Sequence, residues 1–209
     1  MIPELLNGLP YQFFAASSID ALIHAVESCV SPKATPYTRL LAFEAIRMIV
    51  RGYQEIAKNG QEARIPLLED FLVASNLAGI AFANAGVGAV HAMSYPLGGK
   101  YHVAHGEANY ALFTRVFDEY MSISQDGSIA GLNALFADLL GCAQNHVYTA
   151  LAELLDKILP LKKLREYGVT DDDISVFTTN VMEKQGRLTA NNYVPLDATR
   201  VSAIYKDLL

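Results

Sequence analysis

Apolar residues recur at three- and four-residue intervals along most of the chain, the spacing that lines one face of an α-helix. Ile19, Leu22, Ile23, Val26 and Val30 form the first stripe and predict a helix over 20–30. Ser17 or Ser18 would cap it, and Ser31-Pro32 would end it. Thr35-Pro36 reads as a cap and a first-turn proline, opening a helix to about Lys58 that Asn59-Gly60 stops. The stretch from about Ile65 to Asn84 is apolar and alanine-rich on most sides, which predicts a helix central to a core. Beyond it, 87–94 reads as a short helix halted by Pro96, with 98–103 as a loop. A helix from His105 to about Met121 follows, then helices at 129–140 and 147–159. Another begins at Thr170, whose following aspartates suit the positive end of a helix dipole, and a last one covers 197–208. No two-residue alternation and no hairpin signal is present, so the expected class is all-α, as one domain over 1–209. No internal repeat or low-complexity segment is visible.

Composition narrows the function classes. Hydrophobic residues make up 52% and charged residues 18%, which describes a globular chain. The net charge is −6 with no basic cluster, which argues against a nucleic-acid partner. Cys29 and Cys142 make no C-x-x-C pair and demand no disulfide, so a reducing cytoplasm is expected. The apolar runs are broken by Asn, Ser or Gly before they approach about 18 residues, and no membrane span is expected. The start of the chain shows no basic segment ahead of an apolar one, so no signal peptide is expected.

Candidate chemistry concentrates in the stretch GVGAVHAMSYPLGGKYHVAHGEAN, residues 86–109. It holds His91, His102 and His105 out of five histidines, and five of the fourteen glycines. Histidine is the commonest protein ligand for zinc or ferrous iron, and glycines permit close backbone approach. A carboxylate is offered upstream. Asp20 and His24 are four apart, one turn along one helix face. At about 100° per residue they lie at the margin of the apolar stripe, which suits the wall of a cleft.

These segments resemble the C-terminal domain of the iron-containing (group III) alcohol dehydrogenases. The matching residues are DALIHAVE from Asp20 to Glu27, GAVHAMSYPLGG from Gly88 to Gly99, and HGEAN from His105 to Asn109. The resemblance covers essentially the whole chain. It implies the helical half of the fold shared with dehydroquinate synthase, with metal ligands on Asp20, His24, His91 and His105. One departure stands out: where the family often carries a second histidine four residues after the third ligand, this chain has Tyr95.

The implied ion is Fe2+ or Zn2+, since no thiolate is offered. The implied reaction is hydride exchange between an alcohol and NAD or NADP, with the ion polarising the oxygen. The wording around the motifs implies interconversion of 4-hydroxybutyrate and succinate semialdehyde. The dinucleotide needs a strand, a glycine-rich turn and a helix. Neither Gly86-x-Gly88 nor Gly98-Gly99 has that setting, so the nucleotide is expected on an N-terminal α/β domain absent from these residues. An apolar wall near the ion should meet that domain, and the chain is expected to form a homo-oligomer. Tyr95 is expected to orient the substrate and His102 to take the proton, although a loop histidine and an aromatic wall are the plainer alternatives. Lys100, Arg187 and Arg200 are candidates for the substrate carboxylate. Glu27 is either an acceptor for a ligand imidazole or a plain helix carboxylate. His146 and the Asn191-Asn192 pair suggest surface and loop. Two other classes fit the same residues: a stand-alone metal-dependent hydrolase, and a non-catalytic oligomerisation module.

Overall fold

The computed structural model describes residues 1–209 as a bundle of helices with no strands. Eleven α-helices follow in order: α1 Tyr11–Val30, α2 Pro36–Asn59, α3 Leu68–Ala85, α4 Ala89–Tyr101, α5 His105–Tyr110, α6 Phe113–Ile123, α7 Ser128–Leu140, α8 Val147–Ile158, α9 Asp171–Lys184, α10 Gly186–Thr189 and α11 Ala198–Leu208. Short 3-10 turns join several of them.

α1 is the axis of the bundle, packed by α2, α3, α5 and α7. It starts nine residues before the expected Asp20. Ser17 and Ser18 therefore lie inside it rather than capping it. Their hydroxyls donate back to the carbonyls of Phe13 (2.7 Å) and Ala15 (3.2 Å), the usual way a helix absorbs an interior serine. Ile19, Leu22, Ile23 and Val26 are fully buried, as the stripe requires. α2 begins at its predicted cap: the Thr35 hydroxyl accepts from the Thr38 amide, and Thr38 returns the bond.

α3 departs from expectation. Only one face is buried, along Phe71, Ala74, Ala78, Ala81 and Ala85, and Ile80 on another face is 44% exposed. The small side chains of that stripe let α1 and α2 approach closely, which needs one face rather than all of them. By length and mean hydropathy, Tyr11–Val30 and Gln61–Ala85 are also long and apolar enough to cross a membrane, which the broken apolar runs did not suggest. α1 nevertheless carries Asp20, His24 and Glu27 and is mostly covered by the protein itself, as a core helix is. The second stretch changes from 3-10 to α geometry at Leu68 and contains Pro66.

The expected stop at Pro96 does not occur. α4 runs on through Pro96, Gly98 and Gly99 to Tyr101. Its last turn is tied to α9: Lys100 and the Tyr101 hydroxyl both bond to the buried Asp173 carboxylate, the second at 2.6 Å. The Tyr205 hydroxyl of α11 adds a bond to the Met93 carbonyl at 2.6 Å. These distant contacts outweigh the local cost of a proline and two glycines. His102 then ends α4 in a left-handed conformation (φ 54°). The predicted helix from His105 to Met121 is two helices. The chain turns at Ala111 and Leu112, and the new direction buries Phe113, Val116, Phe117 and Tyr120 together. Thr170 starts α9 through a capping box with Asp173, as its sequence suggests, and Asp197 caps α11 from just outside the helix rather than opening it. Both cysteines are free thiols.

Candidate metal centre

Three helices supply the centre. α1 presents Asp20 and His24 one turn apart. α4 places His91 in its first turn, and α5 begins at His105. One ligand atom from each residue can be chosen so that all four lie within 4.8 Å of one another. Asp20 is the hub: its carboxylate oxygens lie 3.9 Å from His24 Nδ1, 3.8 Å from His91 Nε2 and 3.9 Å from His105 Nε2. Donors around a tetrahedral ion with bonds of about 2.1 Å stand about 3.4 Å apart, so a modest contraction would bring this set onto one ion. The His24 ring stacks on both His91 (centroids 4.8 Å apart) and Phe82 (4.2 Å).

Glycine sets the approach of these helices. A Cβ on Gly106 would meet the Ala16 carbonyl oxygen at 2.4 Å, so α5 can lie this close to α1 only with a hydrogen there. That contact is adjacent to His105 and one turn before Asp20.

The neighbouring polar groups hold the donors in one orientation. Glu27 is buried and accepts from the Val90 amide at 2.8 Å through Oε1. Its Oε2 lies 2.6 Å from His91 Nδ1. Against a carboxylate, Nδ1 carries the proton, which leaves the Nε2 lone pair facing the cluster. That Nε2 is buried and has no hydrogen-bond partner. An unmet acceptor in a protein interior is costly, and an ion shared with three further donors would satisfy it. The donor set therefore fits a divalent ion of the zinc or ferrous type. Asn109, one turn after His105, donates to Asp20 Oδ1 at 2.7 Å and sits 3.1 Å from His105 Nε2. Burial pushes the His24 imidazole down to about 4, against the pull of Asp20, so it stays neutral and available as a donor in mildly acidic solution.

A cavity of about 480 Å³ opens beside the cluster. His24, His91 and His105 line it, with Phe82, Tyr95 and Arg187. Tyr95 stands next to His105, ring centroids 6.1 Å apart. His102 is not brought to this lining; it is exposed at the end of α4. Lys100 is bonded to Asp173 and Arg200 to Glu119, whereas Arg187 lies on the cavity. His146 is exposed, as expected.

Asn191 and Asn192 are in a loop, as read, but both are buried. Asn191 donates to the Val87 carbonyl (3.1 Å), and its amide fills the space a Cβ on Gly86 would need. Sequence reasoning gave no role to Asn109. Its four-residue spacing from His105 was the available signal.

Comparison with known proteins identifies the family. Residues 14–209 match the C-terminal part of the Fe-containing alcohol dehydrogenase family. The chain is 49% identical over 208 residues to 4-hydroxybutyrate dehydrogenase of Clostridium kluyveri, covering 100% of this chain and 56% of that one. It is 35% identical over 209 residues to long-chain-alcohol dehydrogenase 1 of Geobacillus thermodenitrificans, covering 98% and 52%. The crystal structure of a 1,3-propanediol oxidoreductase superposes with a TM-score of 0.86 at 31% identity, over 99% of this chain and 54% of that one. The chain thus spans about half the length of the curated relatives it matches. The motifs, the helical fold and these matches agree: the chain belongs to the iron-containing alcohol dehydrogenase family, within its C-terminal domain.

Proposed function

We propose that this chain is the metal-binding half of an NAD(P)-dependent alcohol dehydrogenase that interconverts 4-hydroxybutyrate and succinate semialdehyde. The observation that carries the reading is the convergence of Asp20, His24, His91 and His105, with the His91 Nε2 buried and unpartnered. The 49% identity to a 4-hydroxybutyrate dehydrogenase supports the substrate. The share of that relative left uncovered supports a separate N-terminal domain for the dinucleotide.

Ferrous iron or zinc, when bound, supplies a Lewis acid for an alcohol or carbonyl oxygen. The residues of this chain do the rest. Asn109 holds Asp20, and Glu27 holds His91 in the tautomer that offers Nε2. Phe82 packs flat on His24 and holds its ring in place beside the cavity. Tyr95, on the cavity wall beside His105, orients the substrate hydroxyl by hydrogen bonding. His102 lies outside that wall, so Tyr95 has the stronger claim to the substrate.

The test uses the full-length protein that contains these residues. Purified with Fe2+ or Zn2+, it should oxidise NADH or NADPH with succinate semialdehyde, lose turnover on chelation and recover it when the ion is returned. Absence of turnover with both dinucleotides and both ions would overturn the proposal.

A further inference from the structure

The cavity beside the cluster has an electrostatic character of its own. Two fixed cations, Lys33 and Arg187, are on its lining, and no carboxylate side chain is. The other cations that could have met an acidic substrate are already engaged, Lys100 by Asp173 and Arg200 by Glu119. Neither Lys33 nor Arg187 forms an ion pair or a side-chain hydrogen bond within the chain.

The position of Arg187 is also built rather than incidental. It sits in the short helix α10, whose next residue, Leu188, is buried and also lines the cavity. The buried Asn191 amide donates to the Arg187 carbonyl at 3.4 Å and to the Val87 carbonyl at 3.1 Å. One side chain thus ties the Arg187 turn to the turn that leads into the helix of His91. Gly86 keeps room for that tie: a Cβ there would stand 2.6 Å from the Asn191 nitrogen.

We infer that Arg187, assisted by Lys33, is the anchor for the carboxylate of an ω-hydroxy acid whose hydroxyl end reaches the Asp20–His24–His91–His105 cluster. This rests on the dehydrogenase reading above and adds the group that selects acidic over neutral alcohols. Arginine suits the role because its planar fork pairs both oxygens of a carboxylate and keeps its charge at any working pH. The cavity volume falls within the roughly 300–1,000 Å³ usual for small-molecule sites. Lys33 offers a point charge on the lining of the same cavity, so its contribution is smaller and less dependent on geometry.

The experiment compares kcat/KM for 4-hydroxybutyrate and for 1-butanol, its uncharged counterpart, in the full-length wild type and in R187M, R187K and K33M. In the wild type the acid is preferred. In R187M the preference falls roughly 100-fold, the effect of losing charge-assisted hydrogen bonds. R187K keeps part of it, and K33M loses less than R187M. Butyrate, tested as an inhibitor of 1-butanol oxidation, weakens in parallel in R187M. An unchanged preference in R187M overturns the assignment. So does a higher KM for the dinucleotide with the preference intact, which would give Arg187 to the dinucleotide phosphates. A wild type that oxidises 1-butanol but not 4-hydroxybutyrate fails the underlying substrate reading instead, before any variant is compared.

Discussion

Gly106→Ala isolates the packing that brings the donors together. The new Cβ would stand 2.4 Å from the Ala16 carbonyl oxygen, 3.0 Å from its carbon and 3.2 Å from the Asp20 Cβ. Ordinary contact begins near 3.4 Å, so the closest of these is short by about 1 Å. The obstacle is the backbone of α1, which no rotamer change can move. α5 must therefore back away, and His105, the residue before Gly106, goes with it. Its Nε2 is 3.9 Å from Asp20 Oδ2, and ligand distances in a metal site tolerate only about ±0.2 Å. We expect a stability loss of about 1–3 kcal/mol, as for other overpacked positions, and at least about a tenfold loss of affinity for Zn2+. Gly99→Ala is the control. It lies in α4 with nothing within 4 Å of its Cβ, and should leave metal affinity unchanged while stabilising the helix by roughly 0.5–1 kcal/mol. Affinity is measured by competition with a chromogenic chelator, and stability by urea unfolding of the metal-free protein. Zn2+ affinity of G106A equal to that of the wild type would refute the argument that this glycine sets the site.

Three further outcomes are expected. Glu27→Gln keeps the shape but loses the charge against His91 Nδ1, and should lower metal affinity about 10–100-fold while the fold survives; unchanged affinity in chelator competition would show that the contact only packs. The metal-free protein should lose stability as the pH falls from 6.5 towards 4: burial holds His24 near 4 in the fold, so the unfolded chain takes up a proton there that the folded chain does not. His24→Asn should flatten that part of the curve of urea midpoint against pH, and identical slopes would contradict it. In the full-length enzyme, Tyr95→Phe should lower kcat/KM several-fold more than His102→Ala, because Tyr95 is on the cavity and His102 is not; the reverse order would return the proton to His102.

What could be read from the sequence follows from how local each feature is. The pairing of Asp20 with His24 needs only helical periodicity, and it holds. The addition of His91 and His105 rests on the motif, since nothing local brings α4 and α5 onto α1. Asn109 escaped notice because its partner, Asp20, is 89 residues away and reaches it only across the Gly106 contact. The continuation of α4 past Pro96 was hidden for the same reason: its anchor, Asp173, lies beyond four intervening α-helices. His102 looked close to the site because it is three residues from His105, but the left-handed turn between α4 and α5 leaves it at the surface. The open face of α3 was misread because alanine counts as apolar in any pattern, while its packing value depends on what lies against it.

The central claim is that Asp20, His24, His91 and His105 hold one divalent ion, and elemental analysis tests it most directly. Wild type, Asp20→Ala and His105→Ala are each purified, stripped with a chelator, incubated with Fe2+ or Zn2+ without oxygen and desalted. The account predicts about one ion per chain in the wild type and loss of most of it in both variants, since each removes one of four donors. Full retention of the ion in both variants would contradict it.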